Sequence, residues 1–142
     1  MLSSWKTFST FRLPSKRQSA REGLDLAQRL DTLLAALWPL ADKDMLPDAP
    51  TAEGVALLNG LITDLLQSIK ANYLLNMEIE ISRGRGGAET HHVLSLDLYK
   101  LQSALMHITP GVPPAESVVH QLNKIYFDLN EFQLEAEKRS GQ

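Results

Sequence analysis

The chain has 142 residues, 44% hydrophobic and 22% charged, which suits a single self-supporting globular domain. It has no cysteine, which excludes disulfides, thiolate metal sites and cysteine nucleophiles, and no apolar run approaches the roughly 20 residues of a bilayer-spanning helix. The net charge of −3 conceals an asymmetry: residues 1–21 hold Lys6, Arg12, Lys16, Arg17 and Arg21 and no acid, whereas the nine bases and seventeen acids that follow sum to −8.

Residues 1–18 read as a basic N-terminal arm, rich in Ser and Thr, interrupted by Pro14 and without a sustained apolar stripe. Nor do they contain the continuous apolar stretch of a secretory signal. Trp5, Phe8 and Phe11 recur every three residues beside basic neighbours. That pattern suits a loosely packed arm, an anchor for a protein partner or an anionic membrane surface, or an organellar targeting peptide. With no cysteine and no secretory signal, the expected setting is the cytoplasm.

Residues 19–142 read as a helical domain. Leu26, Leu30, Leu33 and Leu37 repeat at 4, 3, 4 spacing, widened by Ala27, Leu34 and Trp38, and predict a helix from Ser19 to Trp38 that Pro39 ends. "PLADKDMLPDAP" is a loop, and Thr51 is the expected N-cap of the next helix. There Val55, Leu58, Ile62, Leu65 and Ile69 form the stripe, with Leu57, Leu61, Leu66 and Tyr73 broadening it. This helix is expected to be the most buried, with Asn59, Thr63, Gln67 and Lys70 on its wet side.

The period then changes. Met77, Ile79 and Ile81 alternate with Glu78, Glu80 and Ser82, as in a strand. Leu94, Leu98, Leu101, Leu105 and Ile108 favour a helix over residues 91–109, while Leu94, Leu96 and Leu98 alternating with Ser95 and Asp97 leave a small hairpin, 77–82 with 91–97, as the competitor. After the break "TPGVPP", Pro114 suits the first turn of a last helix reaching Lys138. Its core stripe is Val118, Leu122, Ile125, Leu129 and Phe132, with Val119 and Tyr126 beside it. Glu116, His120, Lys124 and Asp128 step by four along the face taken as outer. The fold class expected is all-α, an antiparallel four-helix bundle with an up-down-up-down path.

The stretch with most potential for chemistry is "SRGRGGAETHH", residues 82–92. It matches neither the phosphate loop GxxxxGK[ST] nor a dinucleotide GxGxxG set between strand and helix. Adjacent His91 and His92 diverge on either a helix or a strand, Glu116 and His120 face outward, and no metal or other cofactor is expected. No nucleophile elbow supports Ser-His-Asp catalysis. The basic residues of the arm, with Arg83 and Arg85, could meet nucleic acid, but the acidic body makes a duplex an unsuitable partner. The spacing Arg85-x5-His91 resembles the Arg-x4–6-His motif of the HEPN ribonucleases, which are helical bundles of similar length. The resemblance implies a dimer whose paired motifs cleave RNA, with Arg85 stabilising negative charge and His91 assisting proton transfer. That family usually places a polar residue directly after the arginine and carries the motif on or against a helix; here Gly86 and Gly87 follow.

The favoured reading of residues 82–92 is a mobile glycine-rich connection. The favoured reading of the whole chain is a non-enzymatic protein-interaction module: a small helical adaptor, chaperone or regulatory subunit. Phe127 and Leu134, seven residues apart and pointing away from the core stripe of the last helix, suggest a contact seam for a protein partner or a second copy. The partner-binding residues expected are therefore Trp5, Phe8, Phe11, Lys16, Arg17, Phe127 and Leu134. Alternatively, the arm itself folds back over the strip.

Overall fold

A computed structural model describes residues 16–45, 47–71, 80–85 and 88–141, with the backbone alone described for 16–19, 80–85 and 88–92. Trp5, Phe8, Phe11, Tyr73, Met77 and Ile79 lie outside the described residues. The fold is all-α with one short hairpin: α1 (Lys16–Ala41), α2 (Ala52–Ala71), β1 (Glu80–Arg85), β2 (Ala88–Val93), α3 (Leu94–Leu105) and α4 (Glu116–Ser140).

Contacts between helices fix their directions. Gly23, near the start of α1, meets Ala136, Arg139 and Ser140 at the end of α4, and Ala41 at the other end of α1 meets Asn123 near the start of α4. These two helices are therefore antiparallel, and theirs is the most extensive helix interface. Arg29 of α1 reaches Asp64 of α2, and Asp25 reaches Ser68, so α2 is antiparallel to α1 as well. The Gly111 amide donates to the Pro50 carbonyl at 2.9 Å, bringing the loop after α3 to the start of α2. Helix α3 packs on both α2 and α4.

The core is built from the apolar stripes. Leu26, Leu30, Leu33 and Leu37 of α1 are fully enclosed, as are Leu94, Leu98 and Leu101 of α3 and Leu122, Leu129 and Phe132 of α4. Burying each such side chain contributes about 1.5–3 kcal/mol before the cost of ordering it. Leu105, Ile108, Leu58, Ile62, Leu65 and Ile69 complete the layer. Thr51 caps α2 as expected, its hydroxyl accepting from the Gly54 amide at 2.9 Å.

Several expectations are corrected. Helix α1 continues past Pro39 to Ala41. Proline removes one donor, but the Asp42 amide still reaches the Trp38 carbonyl at 3.0 Å, and Asn123 Nδ2 donates to the Ala41 carbonyl at 2.9 Å. Burial of Leu40 and Ala41 holds that last turn in place. Helix α2 is not the most buried: five of its 20 residues are buried against six of the 12 in α3, because burial depends on neighbours as well as apolar content. Gly23, Ala27 and Ala136 let α1 and α4 approach closely, whereas Leu57 of α2 faces solvent.

The segment after α2 holds both readings in turn: strand pairing runs to Val93, and the helix occupies Leu94–Leu105 rather than 91–109. The hairpin is shifted from 77–82/91–97 to 80–85/88–93, with Glu80 opposite Val93 and Arg85 opposite Ala88. Residues 82–92, read as a connection, thus lie largely in paired strands. In the sequence Gly86 and Gly87 stand between the last pair.

Helix α4 spans Glu116–Ser140 with Ala115 as N-cap, so Pro114 lies just before it rather than in its first turn. Asp128, placed by its spacing on the outer face, is buried. Each step of four overshoots a 3.6-residue turn by about 40°, so three steps carry Asp128 roughly 120° around from Glu116.

Candidate functional site

The outer seam of α1 and α4 brings together three exposed apolar side chains, Trp38, Phe127 and Leu134, the first two held in ring contacts. Trp38, one heptad beyond Asp31 on α1, packs against Tyr126 in a tilted pair with ring centroids 4.9 Å apart. Phe127 meets Tyr126 edge-on at 5.3 Å and Trp38 at 6.3 Å. Edge-to-face pairs of this kind add about 0.5–1.5 kcal/mol each beyond area burial. Even so, Trp38 keeps 38% of its surface exposed and Phe127 48%. Leu134, 46% exposed, stands two turns further along α4, about 10.5 Å away. Between these points Gln133 Nε2 donates to Asp31 Oδ1 at 3.3 Å and ties the helices across the seam.

Leu134 belongs to a shallow cavity of about 540 Å³, lined on its α4 side by Glu131, Leu134, Glu135, Glu137 and Lys138. Glu131, Leu134, Glu135 and Lys138 occupy positions i, i+3, i+4 and i+7, one face of the helix. Among the described lining residues, three carboxylates and one ammonium surround Leu134, so the α4 side of this groove is acidic with a hydrophobic centre; Glu135 also lies 3.6 Å from Arg139 Nε. Phe127 and Leu134 are thus where the spacing put them. The sequence reading did not connect them with Trp38 or with the glutamates. The signals were present: the heptad from Asp31 to Trp38, and the acid-rich "EFQLEAE" at 131–137.

The other expected site residues do not gather here. Lys16 and Arg17 occupy the first turn of α1, while Trp5, Phe8 and Phe11 are outside the described residues. In the hairpin, Arg85 pairs with Ala88 and His91 with Ser82. These backbone positions are three register steps apart, roughly 10 Å of strand, and an odd step count assigns them to opposite faces of a pleated ladder. Within one chain the ladder therefore does not juxtapose the two positions of the Arg-x5-His motif.

His120 Nε2 lies 3.7 Å from Glu116 Oε1 with both side chains exposed, and His107 faces solvent just beyond α3. Among the described residues, no three of His, Asp and Glu are close enough to hold a metal ion. No helix among them is long and apolar enough to cross a membrane.

Two further polar clusters are accounted for by architecture. Arg29 donates from Nε to Asp25 at 2.9 Å and from Nη1 to Asp64, bridging α1 and α2. The hydrogen bonds it donates to Asp25, and next to Asp64, raise the guanidinium pKa above its ordinary value. Asp97 is buried in the first turn of α3, where the helix dipole favours a carboxylate, and Lys100 approaches it at 3.8 Å. A second cavity, about 280 Å³, opens between the end of α1 and the start of α2 against Pro39, Leu40, Pro50 and Leu58. Its described lining is mostly apolar, with Asp48 as the ionisable member.

No protein-family model matches the chain, and no curated protein or solved structure matches it.

Proposed function

We propose that this chain is a non-enzymatic protein-interaction module, a small helical adaptor, chaperone or regulatory subunit, that engages a partner through the α1–α4 seam and its basic arm. The observation that carries the reading is the seam itself: Trp38 and Phe127 in mutual contact yet roughly half exposed, with Leu134 aligned two turns away. Aromatic side chains held rigidly by neighbours lose little entropy on docking, which is why they dominate binding energy at interfaces. The glutamates beside Leu134 would give such a contact its charge preference and register. A protein partner is favoured over a duplex because the domain that follows the arm is acidic. A cytoplasmic setting belongs to the same proposal and rests on the cysteine-free composition.

The test is affinity capture from native lysate with the full chain and with a Phe127→Ser/Leu134→Asp variant. Both positions are exposed, so the variant is expected to keep the helical circular dichroism of the parent, with melting lowered only by the loss of the Phe127 ring contacts. A partner captured by the parent and lost with the variant supports the seam. An unchanged set of captured proteins rejects it.

A further inference from the structure

The acidic groove at Leu134 lies close to where the N-terminal segment leaves the domain. Helix α1 passes the end of α4 at Gly23, whose added Cβ would stand 2.9 Å from the Ala136 carbonyl oxygen and 3.1 Å from the Ser140 amide. Lys16 is seven residues earlier, about 10 Å further along the α1 axis, and Leu134 is six residues, about 9 Å, before Ser140. Residues 1–15 therefore start within roughly 20 Å, measured along the helices, of the groove. A chain covers at most about 3.3–3.6 Å per residue, so Phe8, eight residues before Lys16, can reach Leu134.

Charge and spacing match as well. Residues 1–21 carry five positive charges and no acid, against Glu131, Glu135 and Glu137 in the groove. Residues three apart in an extended chain stand roughly 9 Å apart, close to the 10.5 Å two-turn step from Leu134 to Phe127 along α4. We propose that residues 1–15 dock on their own domain, with Phe8 over Leu134, Trp5 toward Phe127, and Lys6 and Arg12 facing the glutamates of α4. A partner using the seam must then displace this segment, so the arm competes for the surface it flanks. That regulatory consequence rests on the function proposed above; the docking itself does not.

The experiment uses the full chain with Trp38→Phe, which leaves Trp5 as the sole tryptophan. Docking predicts Trp5 emission shifted to the blue and acrylamide quenching several-fold weaker than in a free peptide of residues 1–15. Leu134→Asp should return both to peptide values. Glu131→Lys with Glu135→Lys should weaken protection, and added salt should weaken it in the parent without abolishing it, because the apolar contact is not screened. All three positions are on the groove surface, and unchanged far-ultraviolet circular dichroism verifies the fold. The proposal is overturned if Trp5 in the parent is as accessible as in the peptide, or if it is protected but indifferent to Leu134→Asp and the charge reversals. Protection that falls on dilution also overturns it, because the groove would then be filled by a second copy. Partner capture is read separately: loss of docking with retained seam-dependent capture removes this inference and leaves the proposed function standing.

Discussion

Gly23 and Gly60 are both interior helix glycines, and replacing each with alanine separates backbone propensity from packing. Alanine is favoured over glycine in a helix interior by about 0.8–1.0 kcal/mol, and this gain applies equally at the two sites. At Gly60, on the exposed side of α2, a new Cβ meets no atom of the described residues within 4 Å. Gly60→Ala should therefore stabilise by nearly the full propensity difference. At Gly23 the same methyl would stand 2.9 Å from the Ala136 carbonyl oxygen, 3.1 Å from Arg139 Cβ and 3.1 Å from the Ser140 amide nitrogen. Two of these atoms are backbone, so relief requires the last turn of α4 to move, and overpacking of this kind costs about 1–3 kcal/mol. The net effect of Gly23→Ala should range from near zero to about 2 kcal/mol destabilising. Its difference from Gly60→Ala, in which propensity cancels, should be about 1–3 kcal/mol. Urea unfolding of both variants, with slopes equal to the parent's, measures that difference, and melting should reproduce its sign. Equal stabilisation by the two substitutions would refute the close approach of α1 to α4.

Phe132→Ala should cost about 3–5 kcal/mol by opening a cavity at a fully enclosed site, whereas Leu134→Ala, two residues away, should stay within about 0.5 kcal/mol of neutral; chemical denaturation of both reads the contrast. Leu65→Ala should likewise cost about 2–5 kcal/mol, against near-neutrality for Gln67→Ala, and similar values for the pair would overturn the placement of α2. Asn123→Ala removes the donor to the Ala41 carbonyl in a nearly buried setting and should destabilise by about 1–3 kcal/mol, with amide hydrogen exchange accelerated in the last turn of α1. Purified protein should leave single-stranded RNA intact without added metal. Cleavage that disappears in an Arg85→Ala/His91→Ala variant would put the nuclease reading ahead of the interaction module.

The helical stripes were legible because core contact imposes a period that side-chain hydropathy records directly. Leu94, Leu98, Leu101, Leu105 and Ile108 announced one buried face before any coordinates, and all five are buried. Thr51 was legible as a cap because its hydroxyl has a defined task at a helix start. Spacing failed where a second influence overrode it. Asp128 followed a four-residue step, but the step drifts with the helix and carried it inward. The start of α3 at Leu94 was obscured because a strand and a helix share Val93 and Leu94 as neighbours, with no proline or glycine between them. In "SRGRGGAETHH" the pairing is carried by backbone hydrogen bonds between two strands, which leaves no hydropathy pattern to read. Of the candidate surface, Phe127 and Leu134 were visible as apolar residues on the wrong face. Trp38 was not, since its exposure depends on how α1 meets α4.

The Asn123–Ala41 bond closes a loop of 82 residues, and the helices it joins are the first and the last among the described residues. During synthesis Leu26, Leu30, Leu33 and Leu37 therefore leave the ribosome well before their main partner exists. Some 90 residues separate Ala41 from Phe132, on the order of ten seconds of translation. Over that interval a leucine-rich face is open to chaperones, to neighbouring nascent chains, or to provisional packing on α2. The arrival of α4 closes the core late, so the rate at which residues 42–132 are translated sets how long that face stays open.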